Sequence, residues 1–97
     1  MHASIWKFTG DTEDLAHRYD ALLNEMPTTQ FTAHLCLRAP DGILIVDTCP
    51  SREAFQAFTT SDEFRSALRR HGLPGPELHD YPVHLAFING ATPIVDS

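Results

Sequence analysis

The chain has 97 residues, with 7 Lys or Arg against 13 Asp or Glu, which gives a net charge of −6. This length predicts one domain over residues 1–97, and a hydrophobic content of 42% is too high for a disordered chain. The acidic balance argues against nucleic acid as a partner, since proteins that track phosphates need a basic surface. The basic cluster of Arg65, Arg69 and Arg70 is typical of a solvated helix end.

The cysteines and the distribution of apolar residues indicate the compartment. Cys36 and Cys49 form no Cys-x-x-Cys motif, which favours free thiols in a reducing environment. Residues 1–7 contain no long apolar run, so we expect no signal peptide. No stretch approaches the ~18 apolar residues of a membrane span. We therefore expect a cytoplasmic protein with no membrane partner.

The first two predicted elements are a strand and a helix. Residues 2–8 alternate in the manner of a strand, and one face carries His2, Ser4, Trp6 and Phe8. Asp11 or Thr12 then caps a helix that Pro27 closes. The apolar positions of this helix are Leu15, Tyr19, Leu22, Leu23 and Met26.

A hairpin is predicted next, from residues 31–38 to residue 46. Residues 31–38 alternate again, and residues 39–42 read Ala-Pro-Asp-Gly, which is typical of a type I turn. The continuous apolar run over residues 43–46 predicts a central strand that is buried on both faces.

The last third of the chain predicts a broken helix, a strand and a tail. Ser51 caps the helix, and the capping box at residues 60–63 indicates that the helix breaks and restarts there. Residues 78–88 form the final strand, and Pro82 places it at the edge of the sheet or at its own start. Residues 89–97 are predicted to be a tail.

The order β-α-β-β-α-β predicts an α+β fold of the ferredoxin-like type, with both helices on one face of a four-stranded antiparallel sheet. The opposite face is then bare, and we expect it to carry Trp6, Phe8, Ile43 and Ile45. Because monomers rarely expose such an apolar patch, the pattern predicts a homodimer whose two sheets pack face to face.

Residues 42–58 carry a family resemblance. They read Gly-Ile-Leu-Ile-Val-Asp-Thr-Cys-Pro-Ser-Arg-Glu-Ala-Phe-Gln-Ala-Phe. This segment resembles the Gly-x-x-x-Val-Asp-x-Trp-x-Ser-x-Glu-Ala-Phe pattern of the dimeric α+β barrel proteins, which include the antibiotic-biosynthesis-monooxygenase-like group. Residues 72–76 and 81–84 are also similar to that group. The shared element order extends the resemblance over the whole chain.

The resemblance implies a small cavity in each protomer, between sheet and helices or at the barrel face. Enzymes of this group oxidise aromatic polyketide-type substrates without metal or flavin, or degrade haem. The haem-degrading relatives use an Asn on the first strand, a Trp at the end of the third and a His on the next helix. Here the first strand offers Ser4 or Trp6, Cys49 stands at the Trp position, and residues 52–70 contain no His. Haem degradation is therefore disfavoured, and we expect no cofactor.

Two other families share the strand order. Acylphosphatases need an Arg/Asn phosphate loop after the first strand, and residues 8–11 do not supply one. Regulatory amino-acid-binding domains need a Gly-bearing first loop, and Gly10 alone is weak evidence for that family.

The candidate site rests on histidines within predicted strands. In the favoured register His34, His84, Asp47, Trp6 and Cys49 face one cavity. A neutral His beside a carboxylate can act as a general base, because its pKa lies near the working pH. We therefore assign His34 or His84 as base and Asp47 as the residue that orients it. Trp6, Ile45 and Cys49 are the expected substrate-binding residues.

Structural roles and a metal site are the alternatives at these positions. A strand His is more often hydrogen-bonded within the fold than catalytic, and Cys49 suits a packing role. A metal could be held only by residues from separate strands, for instance His34, Asp47 and His84. We expect His2 to be solvated.

The resemblance and these residues together predict a cofactor-independent monooxygenase-like protein whose partner is a small hydrophobic or aromatic molecule. The alternative is a noncatalytic homodimeric protein that binds a small ligand.

Overall fold

The computed structural model describes residues 1–25, 33–88 and 94–95, and its main feature is a four-stranded antiparallel sheet. The strand order is β2-β3-β1-β4, so β1 and β3 are central and β4 is an edge strand. This arrangement confirms the predicted α+β ferredoxin-like fold. The elements are β1 (His2–Thr9), α1 (Thr12–Leu23), β2 (His34–Ala39), β3 (Gly42–Cys49), α2 (Arg52–Thr59), α3 (Asp62–Arg70), β4 (Glu77–Pro82), β5 (Leu85–Ala86) and β6 (Ile94–Val95).

Each helix begins at a short polar side chain that accepts a backbone N–H. Asp11 caps α1, Ser51 caps α2 and Ser61 caps α3. The predicted break in the second helix is confirmed, although its new cap is Ser61 and not Thr60. The Thr60 hydroxyl donates to the carbonyl of Gln56, at 2.7 Å, and so serves the end of α2 instead.

The C-terminal prediction is wrong in two respects. Residues 78–88 do not form one strand, because β4 ends at Pro82, whose nitrogen has no hydrogen to extend the ladder. The predicted tail contains β6, which pairs antiparallel with β5. Two further predicted boundaries, the helix end at Pro27 and the strand start at residue 31, lie outside the described residues.

The helices cover the sheet face that carries Trp6, Phe8, Ile43 and Ile45, which corrects the prediction that these residues lie on the bare face. All four side chains are buried, and they pack in one core with helix residues such as Leu22. The reason is that β3 is apolar on both faces, so its sequence does not indicate which side the helices will cover.

The opposite face of the sheet is also apolar and remains accessible to solvent. Leu35, Val46 and Ile5 are directly paired across three strands on this face. Leu35 is 55% exposed and Tyr81 is 58% exposed. We call this surface the open face, and its large apolar residues are Ile5, Leu35, Leu37, Leu44, Val46 and Tyr81.

Gly42 begins β3 at a point where β1 leaves no room for a side chain. Its φ is +152°, and an added Cβ would lie 1.9 Å from the carbonyl oxygen of Phe8. We expect Gly42→Ala to lower the free energy of unfolding by about 2–4 kcal/mol, because the clash is with backbone. Urea unfolding measures the loss. Gly75→Ala is the control, since its Cβ would meet nothing within 4 Å. Equal stability of the two variants would contradict the close approach.

Candidate active site

A row of polar residues crosses the helix-covered face of the sheet at one level. His34 on β2 is paired with Asp47 on β3, Asp47 with Ser4 on β1, and Ser4 with Asp80 on β4. Directly paired residues project from the same face. We call His34, Asp47, Ser4 and Asp80 the polar row. It places two carboxylates and an imidazole beneath the helices, where polar groups require partners.

The His34 ring lies between an acid and a phenol. Its Nδ1 is 3.5 Å from Asp47 Oδ1, an ion-pair distance, and its Nε2 is 3.1 Å from the Tyr19 hydroxyl. The Tyr19 and His34 rings are nearly parallel, with an interplanar angle of 7°. The side chains of His34 and Asp47 are only 17% and 10% exposed. The structure thus brings His34 and Asp47 together, as the sequence predicted, and their roles as base and orienting acid stay a prediction.

Tyr19 also belongs to the site, although the sequence placed it only on the apolar side of α1. Burial, followed by the negative charge of Asp47, raises the pKa of its phenol well above the ordinary value. The hydroxyl therefore stays protonated at neutral pH and can donate to Nε2 of His34. A signal was present in the sequence, because a buried tyrosine needs a hydrogen-bond partner.

Trp6 stands beside the polar row and is held by hydrogen bonding and ring contacts. Its indole N–H donates to Ser4 Oγ at 2.7 Å. The Phe55 and Phe64 rings meet it edge-on, at centroid distances of 6.2 and 5.0 Å, and Phe58 lies at 6.2 Å. An aromatic wall therefore adjoins the acid–imidazole–phenol chain.

A small internal cavity lies between this wall and the polar row. Trp6, Ile45, Asp47 and Tyr19 are among the residues that line it, whereas His34 does not line it. Its volume is about 10 Å³, which is room for one water molecule. Tyr19 is therefore the lining residue whose hydroxyl is hydrogen-bonded to His34.

Comparison with solved structures identifies the fold. No family model and no curated protein matches the sequence. A provisionally assigned antibiotic biosynthesis monooxygenase from Deinococcus radiodurans superposes with a TM-score of 0.63 at 16% identity, over 90% of this chain and 96% of that one. A protein of the same provisional assignment from Chloroflexus aurantiacus gives 0.62 at 18% identity, over 91% and 98%. The chain therefore has the same ferredoxin-like α+β fold as these two proteins.

A third neighbour has the same fold and a described activity. SnoaB, a cofactor-independent oxygenase from Streptomyces nogalater, superposes with a TM-score of 0.57 at 19% identity. The match covers 84% of this chain and 91% of SnoaB.

Two further predicted site residues, His84 and Cys49, do not line the internal cavity. His84 is exposed on the bend between β4 and β5, so it does not join His34 and Asp47. Cys49 lies on the covered face and its thiol donates to the His2 carbonyl at 3.6 Å. Burial, with smaller contributions from Asp47 and Asp80, raises the pKa of Cys49, which suits a packing role more than a nucleophile.

A second histidine–carboxylate pair was not anticipated. His2 is buried instead of solvated, and its Nε2 lies 2.5 Å from Asp80 Oδ2. Arg52 Nε is 3.9 Å from the same oxygen. This pair ties β1 to the edge strand β4. Its sequence signal was weak, because nothing near residue 2 predicted which strand would lie beside it.

A metal site and a membrane-spanning helix find no support in the described part of the chain. Among residues 1–25 and 33–88, no cluster of three or more His, Cys, Asp or Glu side chains could hold a metal ion, and the grouping of His34, Asp47 and His84 is not formed. Over the same described residues, the helices are all too short or too polar to cross a membrane.

The raised pKa of Tyr19 gives a pH prediction. The folded protein holds this proton more tightly than the unfolded chain, in which tyrosine has a pKa of about 10. The stability that Tyr19 contributes is therefore present below pH ~10 and declines above it. We expect the alkaline ultraviolet titration of Tyr19→Phe to match that of the wild type until the protein unfolds. A loss of half the tyrosinate signal in folded Tyr19→Phe would contradict this, since the chain has two tyrosines.

Proposed function

We propose that this protein is a cofactor-independent monooxygenase-like enzyme that oxidises a small aromatic molecule. The observation that carries the proposal is the chain from Asp47 through His34 to Tyr19, which ends at a cavity walled by Trp6. The fold that the chain shares with SnoaB, a cofactor-independent oxygenase, supports the same reaction class. A shared fold by itself does not determine chemistry, which depends on the residues of the site.

Proton removal is the step that these residues suit. Tyr19 accepts a substrate proton at its hydroxyl oxygen as its own proton passes to Nε2 of His34, 3.1 Å away. Asp47, close to Nδ1, stabilises the imidazolium that forms. The substrate is left as a phenolate or carbanion. Such an anion can supply electrons to molecular oxygen directly, so the scheme needs no flavin or metal.

Trp6 and the residues around it provide the setting for this step. The indole offers an aromatic surface for a planar substrate, and Ile45 forms an apolar part of the same cavity. A dry cavity strengthens the electrostatic interaction between Asp47 and an imidazolium. Water exclusion also protects a reactive carbanion from being reprotonated by solvent.

A noncatalytic binding protein is the second candidate function. The observation that favours it is the cavity volume of about 10 Å³, which in this conformation cannot hold a substrate beside Tyr19. A binding protein would take up an aromatic ligand without consuming oxygen. The two functions therefore differ in one measurement, oxygen uptake in the presence of ligand.

Anthrone, a neutral aromatic with an acidic C–H, is a suitable test substrate. We expect His34→Gln to lower the rate of anthrone-dependent oxygen uptake by about 100-fold or more, because glutamine cannot accept the proton. His84→Gln is the matched control and should retain wild-type activity, since His84 is exposed and away from the cavity. Wild-type uptake by His34→Gln would remove this residue from the mechanism. Anthrone binding by the wild type without oxygen uptake would favour the binding function.

We also propose that the functional unit is a homodimer joined through the open face. An apolar surface of this kind is rare on a monomer, and two antiparallel sheets can pack against each other on such faces. A two-fold axis would bring the same residues from both copies together.

The dimer proposal is tested by placing a charge on one face or the other of β2. We expect Leu35→Asp to halve the molar mass measured by light scattering, because Leu35 lies on the open face. Cys36→Asp is the control, since Cys36 is the exposed neighbour that projects from the other face. An unchanged mass for Leu35→Asp, or a monomeric wild type, would refute the proposed interface.

A further inference from the structure

An open groove on the outside of the helix layer shares a wall with the internal cavity. The groove lies along α3 and has a volume of about 550 Å³. Phe58 and Phe64 line both the groove and the cavity, and their ring centroids are 4.6 Å apart. These two rings therefore form a wall that the groove and the cavity share.

The two spaces differ greatly in what they can hold. Small-molecule sites typically measure about 300–1,000 Å³, a range that includes the groove. The internal cavity has room for about one water molecule. An aromatic ligand therefore fits the groove in this conformation, and reaches the polar row only if the wall moves.

Phe58 is the less buried of the two rings in the wall. It belongs to the last turn of α2, directly before the break at residues 60–61, and it is half-buried. Phe64 is buried at the start of α3, where it meets Trp6 edge-on at 5.0 Å. A half-buried ring at a helix end can change rotamer at less cost than one fixed in the core.

The charges around the groove select among aromatic ligands. Glu25, Asp62 and Glu63 contribute three carboxylates to its lining, against one guanidinium from Arg70. Arg70 is already paired with Glu25, at 2.8 Å. An anionic ligand would meet a net negative surface, whereas a neutral phenol can donate hydrogen bonds to these carboxylates.

We propose that the groove along α3 is the docking site for a neutral, planar, hydroxylated aromatic, and that Phe58 turns aside to admit its ring to the cavity beside Trp6. The ligand class in this proposal rests on the proposed function. The proposal adds the route of the ligand, from the groove past Phe58 to the cavity, and its neutral charge. It assigns Phe58 a role in access and specificity, because Phe58 controls which rings reach the polar row.

The experiment uses Trp6, the only tryptophan in the chain, as its reporter. In Phe58→Ala the groove and the cavity become continuous, so acrylamide should quench Trp6 fluorescence several-fold more efficiently than in the wild type. Phe55→Ala is the matched control, because Phe55 also contacts Trp6 from α2 but lines neither space. Equal increases in quenching for the two variants, or no increase for Phe58→Ala, would overturn the role of Phe58.

Calorimetric titration tests the groove with two probes that share a naphthalene ring. We expect 1-naphthol to bind the wild-type protein at least about tenfold more tightly than 1-naphthoate at neutral pH. Ser66→Phe, which fills the groove, should weaken 1-naphthol binding by about tenfold. Equal binding of the two probes would overturn the charge selection, and an unaffected Ser66→Phe variant would overturn the docking site.

These readouts separate the proposal from the proposed function, because neither depends on turnover. Failure of the oxygen-uptake assay leaves quenching and naphthol binding unchanged. Loss of activity in His34→Gln together with unselective naphthol binding would overturn the groove alone.

Discussion

The antiparallel pairing of β1 with β3 determines which side chains meet beneath the helices. Trp6 lies opposite Ile45, and this register brings Ser4 opposite Asp47 and Phe8 opposite Ile43. A shift by one residue would move each of these side chains to the other face of the sheet. The core, the polar row and the composition of the open face therefore depend on one alignment.

This alignment places a set of polar groups under an apolar helix layer, where they can lower the stability of the fold. Buried polar atoms destabilise a fold unless they find partners. Ser4 accepts the indole N–H of Trp6, and Tyr19 lies within hydrogen-bond distance of His34. Asp47 is held at an ion-pair distance from His34 and not in an ideal hydrogen bond. Acid, imidazole and phenol side chains that are buried together are typical of functional sites.

The fold can carry this site because strand pairing and helix packing constrain only loosely which polar residues occupy a given position. The neighbours of known structure share 16–19% of their residues with this chain, and the element order and sheet are nevertheless retained. Apolar residues of about the right size maintain the layers. The chemistry that we propose then depends on the few residues that line the space between sheet and helices, among them Tyr19, Asp47 and Trp6.

Local sequence patterns determined the elements, and only tertiary packing determined the surfaces. Alternation in residues 2–8, the Pro-Asp-Gly turn and the capping serines act over a few residues, so the first strand, the hairpin, the helix starts and the helix break could be read in advance, whereas the end of β4 and the pairing of β5 with β6 could not. The pairing of His34 with Asp47 also followed from the hairpin, since the turn sets the register of β2 on β3. By contrast, the covered face, the partner of His2 and the role of Tyr19 each involve residues distant in sequence. Their contacts depend on which side of an evenly apolar strand the helices bury, and no local pattern specifies that side.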